Sequence, residues 1–361
     1  LYARSSRAAS GLGNYPQGLQ LCQEGWEAVG DMQENPSKAI LLHELGRAYH
    51  FNGCPEDAEP LCREALKMAE RVGAVDTQAD TLTTLGVLAN VPSDESLASL
   101  EKAVHLAESN GILDIGSRAH QNLGHIMIED YGDHESSYSH FLHAADLARQ
   151  RGAIQQEIFS LTSAADVMLV RGDMNKSQEI FSRMKKIESG LKNPNIVELE
   201  IASIEIGLKK LSGNLEEPLE TSCRARKMAR AMGDFQLTMH FCSDIVDIYL
   251  LQDKIEPVED WSEAEEAAQE GVDISSRWVG FSLLHSQLAR IYTRQGKLNE
   301  ARQIKIEGQE FVGDAPLFWQ NQNLLYIERD LARAEMDWQL ALDSSAAAVE
   351  NVKQSGVRWP W

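Results

Sequence analysis

The chain has 361 residues, 43% of them hydrophobic, and carries 55 acidic against 34 basic residues for a formal net charge of −21. That much apolar material can bury a large core, while a field of that sign repels nucleic-acid phosphates and anionic lipid and favours basic or neutral partners. No apolar run approaches the roughly eighteen residues that span a bilayer and no signal-peptide pattern opens the chain, so a cytoplasmic protein that binds neither nucleic acid nor membrane is expected.

In chain order, nine helix pairs are expected over residues 1–32, 38–73, 77–111, 114–152, 155–190, 196–233, 236–271, 277–313 and 319–356, as one continuous array with its end pairs acting as caps. Their ends are set by Gly30, Gly73, Gly111, Gly152, Gly190, Gly233, Gly271, Gly313 and Gly356, which recur every 38 to 43 residues. Four of these close one pattern: Ala65-x3-Ala69-x3-Gly73, Ala103-x3-Ala107-x3-Gly111, Ala144-x3-Ala148-x3-Gly152 and Ala225-x3-Ala229-x3-Gly233. Small residues four apart share a helix face and admit a close neighbour, and the glycine supplies a left-handed cap.

The first helix of a pair carries Leu45-Gly46-Arg47-Ala48-Tyr49, Leu85-Gly86-Val87-Leu88-Ala89, Leu123-Gly124-His125-Ile126-Met127 or Leu288-Ala289-Arg290-Ile291-Tyr292. Turn glycines follow at Gly53, Gly132, Gly172, Gly213 and Gly296. The pattern thins in pairs five to seven, where Ile206 and Val246 take the small position and Asp253 replaces the turn glycine.

The Leu-Gly-x-x-Tyr core and a turn such as Gly296-Lys297-Leu298-Asn299-Glu300-Ala301 resemble the tetratricopeptide repeat. With a period of about 41 residues instead of the usual 34 or so, the chain is similar to the repeat region of bacterial signal-transduction ATPases and maltose-regulon-type activators. The resemblance implies an all-α, right-handed superhelical solenoid of about nine antiparallel helix pairs whose first helices line a concave groove. It also implies a non-catalytic sensor or interaction region of a larger signalling or transcription-regulatory protein, the alternative being a free-standing adaptor that binds a peptide segment. The start at Leu1 leads us to expect a segment of a longer chain with flanking domains.

No phosphate-binding Gly-x-x-x-x-Gly-Lys-Ser/Thr loop occurs. Gly11-Leu12-Gly13 meets Pro16 where a dinucleotide fingerprint needs its third glycine, and His134-Glu135 meets Tyr138 where a zincin needs its second histidine. Neither catalytic residues, cofactor nor metal is therefore expected. Cys22, Cys54, Cys62, Cys223 and Cys242 are odd in number and form no C-x-x-C, so they read as small buried hydrophobes.

Groove-facing positions are chosen by their offset from the small crossing residue. They are His43, Arg47 and His50 in pair two; Arg118, Gln121, Asn122 and His125 in pair four; Asp166 in pair five; Asp247 in pair seven; and Arg290 in pair eight. A lone histidine or arginine on a helix is more often solvated or locally paired than a ligand contact. Seven of these fall in pairs two and four, which points to a locally basic, polar stretch that receives an anionic group, a peptide carboxylate or a small polar inducer. By the resemblance, Asn122 holds the place of an asparagine that bonds a peptide backbone. Most of Trp26, Trp261, Trp278, Trp319, Trp338, Trp359 and Trp361 are expected to be core wedges, with Trp359-Pro360-Trp361 folding back over the last pair.

Overall fold

The computed structural model describes residues 1–11, 14–88, 90–193, 197–275, 283–312 and 318–355, which form eighteen α-helices and, among the described residues, no strand. The first four pairs are α1 (Tyr2–Gly11) with α2 (Tyr15–Val29), α3 (Pro36–Phe51) with α4 (Pro55–Arg71), α5 (Val75–Leu85) with α6 (Ser93–Ser109), and α7 (Leu113–Glu129) with α8 (His134–Gln150). Then come α9 (Ile154–Arg171) with α10 (Met174–Ser189), α11 (Glu198–Leu211) with α12 (Glu216–Met232), and α13 (Phe235–Ile255) with α14 (Ser262–Ser275). The last are α15 (Leu283–Arg294) with α16 (Leu298–Val312) and α17 (Phe318–Ala334) with α18 (Trp338–Ser355). The helices group into two compact units, residues 1–128 with 135–160 and residues 129–134 with 161–361.

Local chemistry explains the boundaries. The side chains of Asn14, Asn35, Asp173 and Asp234 each accept a backbone N–H three residues on, and Pro16 and Pro36 occupy first-turn positions where no N–H is needed. All four glycines of the alanine–glycine pattern are left-handed, as are the five turn glycines. Gly30 and Gly190 differ: both remain right-handed, because their helices end without a left-handed residue. Gly271 is no cap at all. It lies within α14, where a Cβ would come 2.5 Å from Leu284 Cδ1, so its role is to let α15 approach. Asp253 also departs from expectation: it sits in the last turn of the long helix α13 and accepts the N–H of Val258 at 3.4 Å, so the turn follows it. Gly313, Gly356, Trp278, Trp359, Pro360 and Trp361 lie outside the described residues.

In the first unit, Ala39 and Leu42 of α3 pack on Ala65, Met68 and Ala69 of α4, and Leu82, Ala103 and Ala119 join α5, α6 and α7. A buried leucine or methionine of this kind contributes roughly 1.5–3 kcal/mol. Lys38 Nζ ties the first two pairs, donating to the carbonyls of Gly30 at 2.5 Å and Met32 at 2.6 Å while lying over the Trp26 ring. The second unit has a core running from Cys242 and Ile245 through Trp261, Leu288 and Ala289 to Ile327. Ile206 and Val246, at two small positions, are fully buried there. Trp261 is the expected wedge; Trp338, 66% exposed, is not, because it stands at the first turn of α18. Cys22, Cys62 and Cys242 are buried free thiols, and Cys54 and Cys223 are half-buried. No helix among the described residues is long and apolar enough to cross a membrane.

The crossing glycines are where helix pairs come closest. A Cβ on Gly46 would lie 2.6 Å from Cys62 Sγ and 3.1 Å from the Ala58 carbonyl, whereas one on Gly116 would find Leu147 at 3.3 Å and Ala107 at 3.5 Å. Gly46→Ala is expected to destabilise the first unit by about 1–3 kcal/mol, because backbone must give way. Gly116→Ala is expected to be neutral or to stabilise by up to about 1 kcal/mol through helix propensity. Urea midpoints followed by circular dichroism distinguish the two, and equal midpoints would refute the packing role of Gly46.

Candidate functional site

In the first unit, polar side chains from the first helices of four successive pairs meet. Arg7 of α1 pairs with Glu44 of α3 and, at 2.9 Å, with Asp80 of α5; Arg118 of α7 pairs with Asp80 from the other side. Arg47 donates to the second oxygen of Glu44 at 3.1 Å and lies over the Phe51 ring. His43, 1% exposed, bonds Thr84 Oγ1 through Nε2 at 2.8 Å and turns Nδ1 towards Glu44 and Asp80 at 3.7 and 3.9 Å. Burial pushes the His43 imidazole below its usual range against the pull of both carboxylates. Burial alone would raise Asp80, yet His43, Arg118 and Arg7 hold it well below the usual carboxylate range.

The network borders a cavity of about 400 Å³ whose charged lining is Arg4, Arg7, Glu44, Asp76, Asp80 and Asp114, with His43 at its base. Arginines already pair with Glu44 and Asp80, so the acidic character of the cavity comes from the exposed Asp76 and Asp114. This corrects the expectation of a locally basic stretch: His43 is buried, and Arg47 and Arg118 spend their charge on Glu44 and Asp80. His50 is half-buried against Phe51. On α7, Gln121 and His125 approach each other at 3.3 Å and His125 sets its edge on Phe141. Asn122 is half-buried, one turn beyond Arg118 on the same helix.

The remaining candidates lie in the second unit, again on first helices. Lys210 of α11 bonds Asp244 of α13 at 2.6 Å and stands 3.8 Å from Asp247, whose other partner is Gln287 Nε2 of α15 at 2.8 Å. His240 lies 3.4 Å from Asp244. Burial raises Asp166 of α9 to about 6, against His240 and with Asp244; burial raises Glu200 of α11 to about 7, against His240 and with Asp166. Arg290 belongs elsewhere, bonded at 3.1 Å to the fully buried Asp330 of α17, which Arg329 also binds at 2.8 Å. A cleft of about 650 Å³ runs along α14 beside Glu265, Glu266 and Glu270, but these already pair with Lys297 and Arg226. A further polar group gathers Glu108, His120, His140 and His143 around α7; burial holds the His120 imidazole down at about 4 against Glu108.

Sequence reasoning missed Arg7, Glu44, Asp80 and Thr84 here, and Glu200, Lys210, Asp244 and Asp330 in the second unit. A signal existed for Asp80. Helix α5 is buried at eight of its eleven positions, and a carboxylate inside such a helix needs partners.

No family model matches the sequence, and no curated protein matches it. Among solved structures, the chain is similar to a Rap protein complexed with Competence and Sporulation Factor (TM-score 0.63, 12% identity, covering 98% of this chain and 97% of that one). It is similar to the apo form of the quorum sensor NprR from B. thuringiensis (0.59, 11%, 98% and 97%) and to the human IFIT1 dimer with m7Gppp-AAAA (0.53, 11%, 97% and 77%). At such identities the likeness is one of fold: the chain has the tetratricopeptide-type helical-repeat architecture.

The raised carboxyls give the second unit a pH dependence. A carboxyl that binds its proton more tightly in the folded chain contributes stability that is full below its unfolded value of 4.5 and is lost as pH rises through about 7. Glu200→Gln stays uncharged and keeps an acceptor for Thr162. It is expected to match the parent near pH 4.5 and to exceed it by about 1–2 kcal/mol near pH 8, read from urea midpoints at both values. An unchanged or lowered midpoint near pH 8 would contradict the assignment.

Proposed function

We propose that this chain is a non-catalytic binding scaffold, the sensor or interaction region of a larger signalling or transcription-regulatory protein. The first-helix face of its first unit takes a peptide segment bearing a basic residue. The observation that carries the reading is the acidic cavity, in which Asp76 and Asp114 are exposed at the ends of α5 and α7 while Asp80 and Glu44 lie deeper. A lysine or arginine entering there meets the exposed carboxylates of Asp76 and Asp114, since Asp80 and Glu44 are already paired with arginines, and the −21 net charge draws such a segment in from solution. Asn122, one turn beyond Arg118 on α7, would bond the backbone of an extended segment.

The fold neighbours are consistent with this reading. The Rap protein is solved with Competence and Sporulation Factor, and NprR is a quorum sensor, so this architecture serves recognition. The IFIT1 neighbour holds m7Gppp-AAAA, but a phosphate chain would face the acidic cavity and net charge of this protein, which disfavours RNA here.

The test is fluorescence anisotropy with labelled peptides of equal length and lysine-rich, neutral or glutamate-rich composition. Affinity is expected to follow lysine content and to fall with salt. Asp76→Asn combined with Asp114→Asn should weaken the lysine-rich peptide about tenfold, or about 1.4 kcal/mol, and Asn122→Ala should weaken all binding peptides by about three- to tenfold. Equal binding of acidic and basic peptides, or a double variant indistinguishable from the parent, would overturn the reading.

A further inference from the structure

Glu108 stands at the end of α6, His120 in the middle of α7 and His143 in α8, all within the first unit. Glu108 Oε1 lies 3.1 Å from His120 Nε2 and 3.2 Å from His143 Nε2, and the three donor atoms all lie within 4.8 Å of one another. Ligands about 2.0–2.1 Å from a tetrahedral zinc ion are about 3.3–3.4 Å apart, so two of the three separations are within a few tenths of an ångström of a zinc site already. We propose that Glu108, His120 and His143 bind a zinc-class divalent ion that clamps the second helix of pair three to both helices of pair four.

Three further observations support the assignment. First, His120 is held from behind: it is 6% exposed, and its Nδ1 lies 2.9 Å from His140 Nδ1. With His120 as donor in that bond, the tautomer leaves its Nε2 lone pair facing Glu108 and His143, the outer-shell arrangement that orients metal-binding histidines. Second, His140 and His143 are three residues apart on one face of α8 and flank His120, with ring centroids 5.1 and 4.5 Å away. One helix therefore supplies both the orienting ring and a ligand. Third, no lysine or arginine among the described residues pairs with Glu108, so its charge is met only by the two imidazoles.

The other cluster of metal-binding side chains, His43 with Glu44 and Asp80, shows the contrast. Its three ligand atoms also lie within 4.8 Å of one another, but Arg7, Arg47 and Arg118 already pair with both of its carboxylates, so neither is left to neutralise a metal ion. The Glu108 site has two neutral-capable imidazoles, one carboxylate and a fourth position open for water. It departs from the sequence expectation of no metal because its ligands are spread over three helices and form no short motif.

The test uses chelator-treated protein titrated with Co²⁺ and then with competing Zn²⁺, with stoichiometry confirmed by equilibrium dialysis. One equivalent is expected to bind, with the visible absorption of tetrahedral cobalt, and Zn²⁺ is expected to raise the melting midpoint. His143→Ala and Glu108→Gln alter exposed positions, so they should fold as the parent does without metal, checked by circular dichroism, and lose more than about 100-fold in affinity. His140→Phe removes the orienting ring but no ligand; it should keep one equivalent with affinity lowered about 10–100-fold. Absence of a stoichiometric equivalent in the parent, or His143→Ala and Glu108→Gln binding as the parent does, would overturn the site.

Discussion

The structure depends on how closely the helices of a pair approach. At Gly46 and Gly124 a Cβ would fall 2.5–2.6 Å from the facing side chain, and at Gly271 a Cβ would meet Leu284 of the next helix. Contact this close brings helices such as α5 to burial on almost every side. Polar residues on the first helices are then surrounded by protein, and each must find a partner or change its protonation.

The two units resolve that demand differently. In the first, burial would raise Asp80 and Glu44, but His43 and three arginines around them hold both carboxylates below the usual range. In the second, a single lysine serves Asp244 and Asp247, leaving Asp166 and Glu200 short of positive charge and raised. One polar cluster is thus held in its charged form, while in the other burial favours the protonated carboxyls. Both lie on first helices, because the second helices carry the small-residue stripe that packs against their neighbours.

Much of the fold was legible because it is local. The four alanine–glycine stripes predict left-handed caps that all occur, the five glycines expected only as turns are left-handed too, and helix spacing alone gathers Arg118, Gln121, Asn122 and His125 on α7. Gly271 was misread because a cap and a packing glycine look alike in sequence; only the position of Leu284 separates them. The site was half legible for the same reason. Arg47 and Arg118 were picked out as charged residues at the right offset, but Asp80, which compensates Arg118, lies 38 residues away, and Glu44, one turn before Arg47 on α3, was passed over. Charge sign at a site is a sum over several pairs of helices, and no single repeat contains it. The histidines of α7 and α8 were invisible as a group, since His120, His140 and His143 meet only when both helices are in place.

The left-handed glycines have a consequence for how freely the sequence can vary. Among the described residues nine glycines and Met336 have positive φ, a conformation that favours glycine, and the crossing positions favour small residues, whereas the surfaces between them need only keep an apolar face. Lineages sharing this architecture can therefore exchange nearly every other residue and still stack. A protein at 12% identity can thus share this fold over 98% of the chain. In such a fold the spacing of turns sets the architecture, and the surfaces between them are left free to vary.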